Sequence, residues 1–259
     1  MSFLIRQTLI YAIPLMVVAL AGIFAERSGI INLALEGIMI FGAFIGVLFV
    51  RMMQAMGWFE AAKAADNWVA LQGYLLLAML VAAILGAMFS LLLAFAAINL
   101  RADQTIGGTA LNMLGLAAST VIVKAINISA NPDDVSSIIQ YGPAKKLFLV
   151  NIGGFEFSWF MLVTALLLAA SYVLLYKTRF GLRLMACGEH PQAADSVGIN
   201  VYKMRWAGVL ISGFLGGIGG IVFITAGVSE WRFEYGVAGF GFLSLAVMIF
   251  GQWKPQRIL

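Results

Sequence analysis

Residues 177–200 read KTRFGLRLMACGEHPQAADSVGIN, Lys177 through Asn200. This is the one long stretch of the chain that is not greasy, and apolar runs border it on both sides. Extended to 205, the segment carries Lys177, Arg179, Arg183, Lys203 and Arg205 against Glu189 and Asp195. A basic polar segment between two apolar runs is the signature of a cytoplasmic loop between membrane helices. Within it, Pro191 is placed to open a short helix and Gly198 to end it. Ala193 and Ala194 give that helix a small face and Asp195 a polar one. Such a helix either inserts into a partner's groove or is an ordinary polar connector.

The rest of the chain supplies the membrane. Of 259 residues, 62% are hydrophobic and 11% charged, and the mean hydropathy is +0.97. A soluble domain carries roughly 25% charged residues. So much apolar surface cannot be hidden in one water-soluble core, and the bilayer is the solvent. Apolar runs long enough to span occur at 8–25, 30–50, 70–98, 104–128, 158–176 and 206–226, with a shorter Gly-rich run at 236–251. The expectation is an all-α, polytopic integral membrane helical bundle of about seven or more spans, forming a single transmembrane domain over 1–259. The net charge of +4 belongs to loops and is no sign of nucleic-acid binding. Loop 129–157 sets Lys145 and Lys146 against Asp133, Asp134 and Glu156, and loop 51–69 sets Arg51 and Lys63 against Glu60 and Asp66. Segment 177–205 is the most basic of the three and is therefore placed inside.

Several chemistries are excluded. The single His190 rules out an HExxH zinc site, and no GxxxxGK[ST] phosphate loop occurs. The single Cys187 rules out an internal disulfide. No metal or cofactor is expected, and the chain is not read as an enzyme.

Polar residues inside apolar runs are the candidate functional positions. Asn32 and Glu36 lie four apart and share a helical face. Glu36 either lines a permeation path or joins a structural ion pair, with Arg27, that pins a helix break. In 104–128, Gln104, Gly108, Asn112, Gly115 and Ser119 fall at steps of four, four, three and four. That stripe either lines a water-filled path or lets another helix approach closely. Gly213/Gly217 and Gly216/Gly220 are two GxxxG pairs, read as close helix packing. An apolar helix, a charged break and a Gly-containing apolar segment occur at 8–50 and again at 206–251, an internal echo of the kind transporters use.

Three blocks in this order resemble the permease subunits of bacterial ABC importers, in the branched-chain amino acid and ribose (simple sugar) permease superfamily, nucleoside-type branch. They are Ala25–Gly37 (AERSGIINLALEG), Asp103–Asn112 (DQTIGGTALN), and Gly181-Leu182-Arg183 followed by GEHPQAA at Gly188–Ala194 and Gly198-Ile199-Asn200. The resemblance implies a second permease chain, as a homo- or heterodimer, in the lipid bilayer of the bacterial cytoplasmic (inner) membrane. It also implies two ATP-binding subunits on the cytoplasmic face and an extracytoplasmic substrate-binding protein. The family's coupling helix maps onto Glu189 to Gly198, and the ATPase-coupling loop is read to include Gly181, Arg183, Gly188, Glu189, Pro191, Ala193, Ala194, Asp195 and Gly198. Nucleosides are the implied cargo, with ribose or another simple sugar as the alternative. A secondary transporter needing no ATPase, or a membrane assembly subunit, are the readings outside this class. The resemblance also implies roughly two more spans past the block ending at Trp253, so the sequence is read as a fragment, a truncated gene product or a shorter variant.

Overall fold

The computed structural model describes residues 2–64, 68–140, 149–152, 155–227, 230–232 and 236–258. Helices dominate. In chain order they are α1 (Ser2–Arg27), α2 (Leu35–Ala55), α3 (Trp58–Ala64), α4 (Trp68–Ala94), α5 (Gln104–Ala130), α6 (Trp159–Lys177), α7 (Arg179–Glu189), α8 (Pro191–Ser196), α9 (Val201–Gly227) and α10 (Phe240–Phe250). A π-helical turn, Phe95–Asn99, ends α4, and a 3-10 turn, Pro255–Arg257, follows α10.

Local chemistry sets the joints. Asp103 caps α5, its carboxylate accepting the Thr105 and Ile106 amides at 2.8 and 3.0 Å. The Thr178 hydroxyl donates to Leu174 O at 2.6 Å and accepts the Gly181 amide at 3.2 Å. One side chain thus closes α6 and opens α7 at a 72° bend. Pro191 opens α8, and Gly198 lies just beyond it at φ +81°, a left-handed state that favours glycine.

Among the described residues, four helical segments are long and apolar enough to cross a bilayer: Leu35–Ala55, Val69–Asn99, Gln104–Ala130 and Val201–Thr225. The bent pair α6–α7 makes a fifth if counted as one span. The described residues thus show four or five such spans against the expected seven or more; α10, with 11 residues, is about 16 Å long and covers only half a bilayer.

Two small antiparallel sheets interrupt the helical pattern. Strand β1 (Ile138–Gln140) pairs with β4 (Glu230–Arg232), and β2 (Leu149–Ile152) with β3 (Phe155–Ser158). These segments lie between the long helices, where β-branched and aromatic residues favour extended pairing. Because β1 follows α5 and β4 follows α9, their pairing puts the ends of those two helices on one side of the bundle. Lys145, Lys146 and Asp66, used for the orientation argument, lie outside the described residues, as do Ser229 and 233–235 of the second break in the internal echo.

Helix α9 is the centre of the bundle and is mostly buried, whereas most of α5 is not. It packs on α1, α2 and α4 through a core that includes Val17, Leu20, Phe24, Met39, Phe44 and Ile221. Phe41 and Phe89 stack at 4.6 Å between α2 and α4. The low burial of α5 leaves one flank of the bundle open.

Candidate functional site: a braced helix break and the helices against it

Backbone polar groups inside a membrane protein must find partners within the protein. Between α1 and α2 the chain leaves the helix for seven residues, Ser28 to Ala34. The first turn is closed locally: Ser28 Oγ donates to Ala25 O at 2.6 Å, and the Ile30 amide reaches back to Ala25 O at 3.1 Å. Beyond Ile30 the partners come mostly from elsewhere. Gln104 Oε1 accepts the Ile31 amide at 2.7 Å. Asn32 donates through Nδ2 to Ser212 Oγ at 2.8 Å and accepts the Ala34 amide at 3.1 Å. Asn112 donates to Leu33 O at 2.8 Å and accepts the Gly37 amide at 2.7 Å, spanning the start of α2 with one amide group.

Glu36 braces a second break. Its two carboxylate oxygens accept the amides of Gly239 and Gly241 at 2.9 and 2.6 Å. Those amides open α10, so the carboxylate sits on the positive end of a short helix whose first N–H groups have no partner inside it. The ion pair with Arg27 is not formed. Arg27 instead faces Glu189 of α7, Nη1 to Oε1 at 3.4 Å.

The stripe on α5 turns inward. Gly108, Leu111, Gly115, Ser119, Val123 and Asn127 are its buried face. A Cβ on Gly115 would stand 2.7 Å from Gly37 O, and one on Gly37 would stand 2.6 Å from Leu111 O. Ser119 Oγ donates to Gly115 O at 2.7 Å within its own helix. Close approach by another helix is therefore what the small residues serve, and that helix is α2. Asn32 and Ser119 are fully buried and Glu36, Gln104 and Asn112 partly so. Thr105, Thr109 and Met113, also four apart, are exposed on α5. In the sequence Thr105 and Thr109 lie beside the small stripe at the same spacing, and spacing does not say which face is covered.

At the α7–α8 end, Gly181, Leu184 and Cys187 are the buried side of α7. A Cβ on Gly188 would lie 2.4 Å from Arg27 O, and one on Gly29 would lie 3.3 Å from Gly188 Cα. Helix α7 thus touches the end of α1 backbone to backbone, directly beside the break. Ala193 and Ala194 do not form one small face: Ala193 is exposed and Ala194 is buried. Arg183, Glu189 and Asp195 are exposed, and Pro191 is partly covered. Trp253, beyond α10, completes this end. Its indole N–H donates to the Glu26 carboxylate, and its carbonyl accepts from Arg27 Nη2 at 3.3 Å. Glu26, Arg27, Gly188, Glu189 and Trp253 border a cleft of about 210 Å³. Nothing in the sequence ties Trp253 to a segment more than 200 residues earlier.

Compared with known proteins, residues 4–259 match the family described as the branched-chain amino acid transport system permease component. The chain belongs to that family. It is 42% identical over 260 residues to the guanosine ABC transporter permease protein NupQ of Bacillus subtilis, covering 98% of this chain and 77% of that protein. It is 39% identical over 261 residues to the nucleoside ABC transporter permease protein NupC of Lactococcus lactis, with the same coverage of each. The glucose ABC transporter permease protein TsgB13 of Haloferax volcanii is 25% identical over 266 residues, 99% of this chain and 66% of that protein. No solved structure matches the chain.

In this permease the glycines of α9 serve packing. A Cβ on Gly213 would lie 2.2 Å from Ser90 Oγ, one on Gly216 2.9 Å from Ile38 Cγ2, one on Gly217 2.3 Å from Ala82 O, and one on Gly220 2.1 Å from Met39 O. The α9 glycines therefore let α2 and α4 close on the central helix, as the two GxxxG pairs predict.

Proposed function

We propose that this chain is the membrane-spanning permease subunit of an ATP-driven importer that moves nucleosides across a bacterial cytoplasmic membrane. The observation that carries the cargo is the match, over 98% of the chain, to two permeases whose names specify guanosine and nucleosides. Residues 1–259 act as one transmembrane domain in which α2, α4, α5, α9 and the bent α6–α7 pair cross the bilayer, α1, with 26 residues, crosses beside them, and α10 enters it from one side. A second permease chain pairs with it, an extracytoplasmic binding protein delivers the nucleoside, and ATP is hydrolysed in separate ATP-binding subunits. The chain itself makes and breaks no covalent bond.

The geometry supports a mechanical role for the α7–α8 end. The ATP-binding subunits dock on the exposed residues of α8 and push it. Gly188 lies against Arg27 and Gly29 without an intervening side chain, so the push passes into the α1–α2 break. Helix α10 runs between the same two regions, held by Glu36 at one end and tied through Trp253 to Glu26 and Arg27 at the other. A displacement of α7 therefore moves both broken elements together. Asn32, Gln104 and Asn112 keep the break's backbone bonded as it moves, and the exposed Thr105, Thr109 and Met113 face of α5 meets the cargo. ATP biases inward against outward states only through differential contacts in the two.

The test is uptake of labelled guanosine by cells carrying the intact transporter, with the phosphate-loop lysine of the ATP-binding subunit present or mutated. Unlabelled nucleosides and ribose compete in parallel. Uptake that needs the lysine and yields to nucleosides alone is expected. Competition by ribose instead changes the cargo to a simple sugar, and uptake indifferent to the lysine removes the ATP-driven mechanism.

A further inference from the structure

We propose that the cavity between the end of α4, the start of α5 and the start of α9 binds the phosphate headgroup of an anionic phospholipid. The cavity has a volume of about 410 Å³ and is lined by Ala97, Ile98, Arg101, Gln104, Tyr202 and Arg205, among others. It lies where α4 changes to a π-helical turn at Phe95–Asn99, a distortion common at functional sites. Arg101 follows at φ +53°, a backbone state seldom adopted by residues other than glycine, asparagine and aspartate.

Its arginines are not held by ion pairs. Among the described residues neither Arg101 nor Arg205 is in an ion pair; the pair formed at this end of the bundle is Arg27–Glu189. Arg205 Nε is buried and has no hydrogen-bond partner. The carboxylate nearest in sequence, Asp103, is committed to the Thr105 and Ile106 amides as the cap of α5. Arg101 and Arg205 both line this small cavity, with the Arg205 guanidinium reaching back to Gly29; arginine is the side chain whose planar fork can bind a phosphate in a bidentate manner.

The surroundings select a lipid over a soluble anion or a protein carboxylate. Ile84, Met88, Leu92 and Phe95 are each about half exposed and follow one another at steps of four, four and three along α4. They form an apolar ridge that leads to Ile98 in the cavity wall. Leu100 beside it is 64% exposed. Tyr202 and Trp206, their rings 6.3 Å apart, supply the aromatic pair usual at the headgroup level. A phosphate among the arginines with an acyl chain along this ridge uses both features. Basic pockets between membrane helices on the cytoplasmic side are known to hold such headgroups. The proposal stands whether or not the cargo is a nucleoside.

The test uses the assembled transporter in nanodiscs of phosphatidylcholine doped with phosphatidylglycerol. Lipid retained after exchange into detergent is counted by native mass spectrometry, and thermal melting serves as the control for folding. Arg101→Gln is expected to lower retained phosphatidylglycerol about five-fold, and the double variant with Arg205→Gln about 30-fold, with phosphatidylcholine unchanged. Arg101 is exposed, so its variant reads the site without disturbing the core. Retention unchanged in both variants overturns the proposal. So does displacement of the lipid by soluble glycerol phosphate at equal concentration, because the ridge would then contribute nothing. Loss of the ATP-binding subunits with lipid retained also overturns it, reassigning the cavity to a protein contact.

Discussion

Replacing Glu36 by alanine should unfasten the start of α10 while the rest of the bundle stays folded. The carboxylate takes two backbone amides, at 2.9 and 2.6 Å, and hydrogen bonds to a charged group are worth about 1.5–3 kcal/mol each. Against this stands the cost of holding a carboxylate away from water, several kcal/mol, which the substitution removes. Polar contacts in membrane proteins also average only about 0.6 kcal/mol, because the opened state finds other partners. Weighing these, local opening at residues 239–241 should become easier by about 2–3 kcal/mol, a factor of roughly 30 to 150 in amide exchange. Hydrogen–deuterium exchange of the intact transporter in nanodiscs reads this directly, with peptides from α9 as the internal reference. Glu36→Gln should fall between, since one oxygen still accepts an amide while the new NH2 group faces the other donor. Transport should fall in step with lost protection. If exchange at 239–241 is unchanged in Glu36→Ala while transport is lost, the brace is refuted and the carboxylate acts on the cargo itself.

Asn112→Asp keeps the acceptor for the Gly37 amide but sets an oxygen against Leu33 O, so it should destabilise more than Asn112→Ser, by about 1–2 kcal/mol in detergent melting; equal melting would remove the asparagine's role as a brace. Gly217→Ala places a methyl carbon 2.3 Å from Ala82 O, a backbone atom that cannot swing aside, and should cost about 1–3 kcal/mol in the same assay, whereas Gly73→Ala, with open space around it, should cost nothing measurable. Ala193→Arg changes an exposed residue of α8 and should reduce co-purification of the ATP-binding subunits at unchanged melting temperature. Ala194→Arg, at a buried position, should lower melting as well, and the reverse ranking would show that α8 docks through its other face.

Much of this protein could be read along the chain. A mean hydropathy of +0.97 leaves only the bilayer as solvent, and long apolar runs bounded by charges mark where helices start and stop, because both signals are local. The helix between Pro191 and Gly198 is legible for the same reason. So is the packing role of the α9 glycines, whose i, i+4 spacing has a direct geometric meaning. What the chain could not say was which partner each polar residue takes. Gln104, Asn112 and Glu36 are conspicuous in apolar sequence whether they line a path or brace a backbone. The choice rests on elements distant in sequence: Ile31, Leu33 and Gly37 against α5, Gly239 and Gly241 against Glu36, Trp253 against Glu26. Helical periodicity marks a face, and only the neighbour that covers it decides what that face does. The tertiary fold set α2 against the small stripe of α5, turned Thr105 and Thr109 outward, and tied the two broken elements together at both ends of α10, through Glu36 at its start and through Trp253 with Glu26 and Arg27 beyond its end.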